Sequence, residues 1–347
     1  MTKKSVTMSD IAKVMNVSTV TVSKALGDRD GVSVELRERI KQKATEMGYR
    51  VHAGSHGAKD GLTYNIGIIV AKHFISDASS FYWIVYRNIV ELLQNQNYYG
   101  MLEVVDNKSM TDPNAVEEVP NTVLDHKVDG LIVLGQLSED YIDRLMQHNL
   151  PTVFLDFYDR YLPDAGMLSY VTTDNYRGAV MATEYLLENG HRRIGFLGSI
   201  SSTSSIQDRY LGYYKALLEN RIPLRQDWVI ADRSNESDIF PEFTLPNDMP
   251  TAFVCNCDET AYKLVNQLKA AGYSIPDDIS VVGYDNHIYS TICNPRLTTI
   301  DVNSRVMSTE AVDIILHKIR DGNYRRGRTL VTGKLVRRGS VKNLNEA

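Results

Sequence analysis

Two hydrophobic rhythms divide this chain. In the first 50 residues the apolar positions recur at helical spacing. Ile11, Ala12 and Met15 form one stripe, Val22, Ala25 and Leu26 a second, and Leu36, Ile40, Ala44 and Met47 a third. Beyond residue 61, short β-branched runs alternate with helical stretches. The predicted strands are Ile66–Val70, Gly100–Val105, Gly130–Leu134, Thr152–Leu155, Ile194–Leu197, Trp228–Ala231, Thr251–Cys255 and Ile279–Val282. The helices between them are expected at Tyr82–Gln96, Asn114–Leu124, Ser138–Gln147, Arg177–Asn189, Asp208–Glu219, Glu259–Ala271 and Ser304–Ile319. Strand-then-helix alternation predicts parallel sheets covered by helices on both faces. Its two runs predict two similar lobes that part near Tyr170–Asp174, with a ligand cleft at the carboxyl ends of the strands. Asp232–Pro250, broken by Pro241 and Pro246, has no helical stripe and reads as an irregular loop.

Local chemistry sharpens the first 50 residues. Thr7-x-x-Asp10 is a capping-box-like start. Asn16-Val17-Ser18 is a tight turn, and Ser18 caps the helix that Gly27 ends. Two short helices joined by such a turn make a helix-turn-helix, and a third follows from the Ser33 cap to Gly48. The outer face of the second helix carries Thr19, Val20, Thr21, Ser23 and Lys24, small side chains and one cation that can approach base edges and phosphates.

Composition narrows the function. The chain has 347 residues, 43% hydrophobic and 23% charged, an ordinary globular balance with room for two or three domains. No apolar run approaches the ~20 residues of a membrane helix, and no signal-peptide pattern opens the chain, so a cytoplasmic location and no membrane are expected. That conflicts with a transport-type binding protein. Residues 1–60 hold 11 Lys/Arg against 7 Asp/Glu, whereas the rest hold 27 against 36, so a head of net charge +4 sits on a body of −9. Such a head suits a polyanion. Cys255, Cys257 and Cys293 lack zinc-ligand spacing, so neither metal nor cofactor is expected. Gly-x-Ser-x-Gly, Walker and Gly-x-Gly-x-x-Gly patterns are missing, which leaves an α/β enzyme with a basic extension as the weaker alternative. His191 reads as a surface loop residue.

Ordered motifs then point to a family. Thr7-Met8-Ser9-Asp10-Ile11-Ala12, Val17-Ser18-x-x-Thr21-Val22-Ser23-Lys24-Ala25-Leu26, Val32-Ser33 and Met47-Gly48-Tyr49 resemble the head of the lactose/galactose repressor (LacI/GalR) family. Gly190–Gly198, Arg209-x-x-Gly212, Ile279–Asp285 and Pro295-x-Leu297-Thr298-Thr299-Ile300 resemble its periplasmic-binding-protein-like body. The resemblance implies a three-helix DNA-binding domain at 1–50, a linker at 51–61 and an effector-binding, dimerising core at 62–347. It implies an N-lobe of about 62–170 plus 303–327 and a C-lobe of about 171–302 plus 328–341. Thr19, Val20 and Lys24 would read the operator, Lys24 standing where relatives usually carry Arg and offering only a point charge to guanine. The DNA-facing set adds Thr7, Ser18, Thr21 and Ser23, with Tyr49, His52, His56 and Ala58 toward the linker. The linker departs from the family, because Ala58 replaces a wedging Leu and Gly54 and Gly57 disfavour a helix, so weak linker helicity and little DNA kinking are expected.

The expected function is a transcription regulator, acting as a repressor, that binds a palindromic operator as a homodimer and responds to a sugar or sugar derivative. Asp156, Arg209, Asp285 and either Asn256 or Asp258 follow strand ends or open helices over the cleft, where carboxylates accept from sugar hydroxyls and Arg donates. Phe81 and Tyr82 could stack on a ring, while Trp83 reads as core because Arg87 shares its helical face. Only Lys342–Ala347 follow Val341, too short for a tetramerising heptad bundle, so a dimer is expected.

Overall fold

The computed structural model describes residues 6–26, 31–47, 61–75, 81–106, 118–157, 168–234 and 239–346. The head comprises α1 (Met8–Met15), α2 (Thr19–Leu26) and α3 (Val34–Glu46). Each start is capped as its sequence dictates. Thr7 Oγ1 accepts from the Asp10 amide at 3.3 Å, and the Asp10 carboxylate accepts from the Thr7 amide at 2.9 Å. Ser18 Oγ accepts from the Thr21 amide at 3.0 Å, and Ser33 Oγ from that of Leu36 at 3.4 Å. Between α1 and α2 the chain reverses through Asn16, which is left-handed at φ 53°. Asn is one of the few side chains that enters this region readily. Ile11, Ala12, Val22, Ala25, Leu26, Ile40 and Ala44 close the small core, the expected stripes meeting in one cluster.

The body holds two sheets. The first joins β1 (Asn65–Ala71), β2 (Tyr99–Val105), β3 (Gly130–Leu134), β4 (Thr152–Leu155), β5 (Ser169–Thr173) and β11 (Gly327–Val331). Their order is β11-β5-β4-β3-β1-β2, and every pairing is parallel. The second joins β6 (Ile194–Leu197), β7 (Val229–Ile230), β8 (Ala252–Cys255), β9 (Ser280–Asp285), β10 (Thr298–Asp301) and β12 (Lys334–Val336), in the order β12-β10-β9-β8-β6-β7. It is parallel except for β10 against β12. Around the first sheet lie α4 (Lys72–Ile75), α5 (Phe81–Asn95), α6 (Asn121–Leu124), α7 (Glu139–Met146) and α12 (Ser304–Arg320). Around the second lie α8 (Asn175–Glu188), α9 (Ser204–Glu219), α10 (Asp258–Ala270) and α11 (Ile288–Ile292). The two-lobed α/β architecture is the expected one. Among the described residues no helix is long and apolar enough to cross a membrane.

Several placements differ from the sequence reading. Ser169–Thr173 is a fully buried strand of the first lobe, so that lobe runs past residue 170 to Thr173, at the far end of the expected break, and Asp174 caps α8. Arg328–Val331 belongs to the first sheet as part of β11, paired in register with β5, and not to the C-lobe. The cause is α12. It packs against α5 and β4, so the strand that follows it adds to the near edge of the same sheet before the chain crosses over to β12. His191 is buried, not a surface residue. Its Nε2 donates to the Lys342 carbonyl at 3.1 Å, its Nδ1 lies 3.1 Å from Thr251 Oγ1, and burial pulls its pKa down. Trp83 is half-buried on the outer side of α5, where its indole donates to the Ile75 carbonyl at 3.1 Å, and so is not core.

Helix α9 crosses α8 closely because Gly212 has no side chain at the contact, and Gly178 likewise lets α8 approach β9. A Cβ at Gly212 would drive into the Tyr176 carbonyl oxygen, and one at Gly178 into the Tyr284 hydroxyl. In an unconstrained helix Gly→Ala stabilises by roughly 1 kcal/mol. Here Gly212→Ala is expected to destabilise instead, by roughly 1–3 kcal/mol, since the crossing must open. Urea unfolding followed by circular dichroism measures this; a variant as stable as the parent would refute the close-contact account.

Candidate nucleic-acid interface and interlobe cleft

On the head, α2 buries Val22, Ala25 and Leu26 and turns the opposite side outward. Thr19, Val20 and Lys24 are exposed, Val20 at 63%. Ser23 is half-buried beside them. Thr7 and Ser18 act first as caps, and the half-buried Thr21 hydroxyl is 2.8 Å from Ser18 Oγ. The face therefore offers a hydroxyl, a branched methyl pair and one ammonium, which matches backbone and thymine-methyl contacts in a major groove. Tyr49, His52, His56 and Ala58 lie outside the described residues.

The second site lies where the two sheets present their carboxyl ends to each other. Asp156 follows β4 and is left-handed at φ 55°, which swings its carboxylate toward the other lobe. Its Oδ2 accepts from the Tyr82 hydroxyl at 2.8 Å. Tyr82 is held in turn by Phe74, ring centroids 4.5 Å apart, and both rings fit only because Gly135 has no Cβ to meet them. From the second lobe come Arg209 and Asp285. Asp285 ends β9 at φ 99°, a strained value for a residue with a side chain, and its Oδ1 lies 3.3 Å from Arg209 Nη2.

Arg209 sits in α9, in its second turn rather than at its opening, and almost every face of the guanidinium is occupied. Nε donates to Asn175 Oδ1 at 2.9 Å, Nη1 donates to the Asn256 carbonyl, and the plane lies 3.9 Å over the Tyr284 ring. Burial opposes this charge, but Asp285, Tyr284 and Asp156 together raise its pKa above the usual value. Burial also pushes the Asp156 carboxyl up, against the lowering effects of the Tyr82 hydroxyl and Arg209. Two carboxylates, one from each lobe, thus face one guanidinium.

A cavity of about 40 Å³ opens beside this group, room for little more than a water as the lobes stand. Of the expected contacts Tyr82 and Asp156 line it, whereas Arg209 and Asp285 stand behind the lining; it is completed by Gln136 and Phe157 after strand ends, Asn175 opening α8, and Thr203, Ser204 and Ser205 opening α9. The run Ser201-Ser202-Thr203-Ser204-Ser205 between a strand and a helix was a legible signal. Arg328 lines it too and was missed because its strand was assigned to the other lobe. Asp208 adds a carboxylate.

Three expected contacts are placed differently. Asp258 is fully buried inside the second lobe, its oxygens accepting from Thr299 Oγ1 at 2.6 Å and from the His287 amide at 2.7 Å. Burial raises its pKa well above the usual range, and it ties α10 to β9 and β10 rather than facing the cleft. The Asn256 side chain is also buried, Nδ2 donating to Asp232 Oδ2 at 2.6 Å, and only its carbonyl serves the site by holding Arg209. Phe81 packs against the hydrophobic cores of both lobes at once, a plug between them and not part of the cavity lining.

Comparisons with known proteins cover both parts of the chain. Residues 7–51 match the model of bacterial regulatory proteins of the lacI family, and residues 183–341 that of a periplasmic binding protein-like domain. An HTH-type transcriptional repressor PurR from Photobacterium profundum is 29% identical over 346 residues, covering 98% of this chain and 99% of the relative. A transcriptional regulator CelR–cellobiose complex superposes with TM-score 0.65 at 22% identity, covering 96% of this chain and 99% of that one. A LacI family regulator from Enterococcus faecium with bound ribose superposes with TM-score 0.64 at 23% identity, covering 81% and 99%. With a regulatory-family head, a binding-protein body and full-length likeness to repressors, the chain belongs to the LacI family of bacterial regulatory proteins.

Proposed function

We propose that this protein is a transcription repressor of the bacterial cytoplasm, non-catalytic, whose hold on operator DNA is set by a small polyhydroxyl effector in the interlobe cleft. The observation that carries the reading is the Arg209 cluster. One buried guanidinium of the second lobe, paired with Asp285, faces the Tyr82–Asp156 pair of the first. Such a site senses how close the lobes are. A ligand whose hydroxyls donate to Asp156 and Asp285 and accept from Arg209 replaces direct interlobe contacts and biases that distance. The Thr203–Ser205 hydroxyls and the rings of Phe74, Tyr82 and Phe157 suit the polar edge and apolar face of a sugar. Folds of this kind hold cellobiose and ribose in two solved relatives, which favours a carbohydrate here.

The head docks α2 in the major groove, with Thr19, Val20 and Lys24 foremost, and two heads read a palindrome. Dimerisation engages the outer side of α5, where Trp83, Tyr86 and Val90 line a groove of about 580 Å³. The experiment that tests the whole reading is a gel shift on DNA upstream of the protein's own gene, run with and without neutral sugars. Binding should fall steeply with salt and respond to one sugar. No shift at low salt would sink it.

Lys24→Ala is expected to weaken operator binding roughly tenfold or more, the loss of a groove cation, while Lys43→Ala on α3 leaves it within about twofold. Fluorescence anisotropy on the selected operator measures both, and equal losses would show that α2 is not the reading helix. Arg209→Ala and Asp285→Ala should each abolish effector response in the same assay while DNA binding persists; ligand affinity retained in both would displace the effector from this cleft. Sedimentation equilibrium should give a dimer at micromolar concentration, and a stable tetramer would contradict the assembly.

A further inference from the structure

We propose that the turn joining α12 to β11, with Arg320 and Arg325, is a second DNA contact that grips phosphates flanking the bases read by the head. This rests on the DNA-binding reading above. The body as a whole repels DNA, at a net charge of −9 over residues 61–347. Yet residues 318–328 hold five cations against Asp321 alone; Lys318 is buried on the Thr152 carbonyl and Arg328 lines the interlobe cavity, which leaves Arg320, Arg325 and Arg326 at the turn.

The fold decides where this cluster lies. All strands of the first sheet are parallel, so their amino ends make a single edge. The chain arriving from the head enters the body at that edge. Its Thr63 and Tyr64 amides are clamped by the Asp129 carboxylate, at 2.9 and 2.7 Å, just before β3 begins. The turn preceding β11 is on the same edge, four strands away from β1. At about 4.8 Å per strand this is roughly 19 Å, close to the combined width of a major and a minor groove, about 18 Å. Residues 48–60 span at most roughly 45 Å even if fully extended. A head seated on DNA therefore holds the duplex at high local concentration beside this edge.

The turn is built to present charge. Tyr324 stacks on His317 at 5.1 Å, and Arg325 Nη1 donates to the Gly322 and Tyr324 carbonyls at 2.8 and 2.9 Å, which leaves the rest of an exposed guanidinium to face outward. Arg320 is exposed and makes no ion pair among the described residues. Arg326 is neutralised by Glu310 at 2.8 Å, and Lys127 on the same edge by Asp125 at 2.8 Å, so neither is assigned a phosphate. Lys318 is turned inward, its ammonium donating to the Thr152 carbonyl at 2.9 Å, and burial, then the charge of Arg325, pull its pKa down to about 8, so it too is assigned no phosphate.

The test uses the full-length protein and a duplex it selects from a random library. Affinity is measured over a potassium chloride series on two duplexes, one just covering the selected sequence and one extended by a helical turn on each side. The wild type should bind the extended duplex more tightly. Arg320→Gln/Arg325→Gln should lose that gain, weakening by roughly tenfold or more there, and its slope of log K against log salt should flatten by about 3.6, near 0.9 for each of four phosphates released, two per subunit of the dimer. Arg320→Gln alone, which disturbs no bond in the turn, should flatten it by about half as much. Lys215→Gln/Lys263→Gln makes the same change in charge on the second lobe and should follow the wild type. Equal slopes for the wild type and both arginine variants, or a control that loses as much as they do, would overturn the contact. Slopes unchanged while the arginine variants lose capture of an acidic protein would overturn it too. A wild type that selects no duplex at all would bring down the DNA reading itself, and this inference with it.

Discussion

A guanidinium cannot be taken out of water unless its donors are met and its charge is opposed. Arg209 is in that position, and the geometry of the cleft follows from how its needs are supplied. Asn175 reaches it from the start of α8, Asn256 lends a backbone carbonyl at the end of β8, Asp285 closes β9, and Tyr284 supplies a ring face. These come from three separate elements of the second lobe, α8, the end of β8 and β9, so all three must be in place before the charge is satisfied. Asp156 then completes the field from the other lobe. The one charge both organises its own lobe and registers the position of its neighbour.

The surrounding structure keeps that arrangement stiff. Gly212 lets α9 meet α8 at backbone distance, and Gly178 lets α8 approach Tyr284 of β9, which fixes Asn175 and Arg209 relative to each other. Asp258, buried with Thr299 and the His287 amide, locks the end of β9 from which Asp285 projects. Asp232 does the same for Asn256, taking its amide while bonding Ser199, Thr260 and Arg233. Buried polar networks of this kind hold when every member is satisfied. In this protein they hold Asp285 and Asn256 in place from inside the second lobe.

The two lobes are joined where the chain passes from Thr173 to Asp174, from Asp301 to Asn303 and from Val331 to Lys334, with Phe81 wedged into both cores. Thin connections and one shared apolar contact permit a rigid-body response to a cleft ligand. The groove along α5 lies on the first lobe, which also receives the chain from the head. A change in lobe closure therefore reaches the spacing of two heads through the subunit that carries them.

Much of this was legible in the sequence, for a physical reason. Caps, turns and amphipathic stripes are short-range, so Thr7, Ser18, Ser33 and the apolar faces of α1–α3 could be read from neighbouring residues alone. Strand–helix alternation similarly specified two parallel sheets, and motif residues singled out Arg209 and Asp285. What the residues could not show is which strand joins which sheet. Ser169–Thr173 and Gly327–Val331 pair across more than a hundred and fifty positions; the first is a polar run buried throughout, the second an edge run with only Val331 buried, and neither carries a local mark of its partner. For the same reason Asp258, Asn256 and Phe81 resembled ligand contacts and Trp83 resembled core. Sequence supplies the chemistry of a side chain and its place on an element, but its surroundings come from elements packed against it from afar, and only the tertiary structure brings those together.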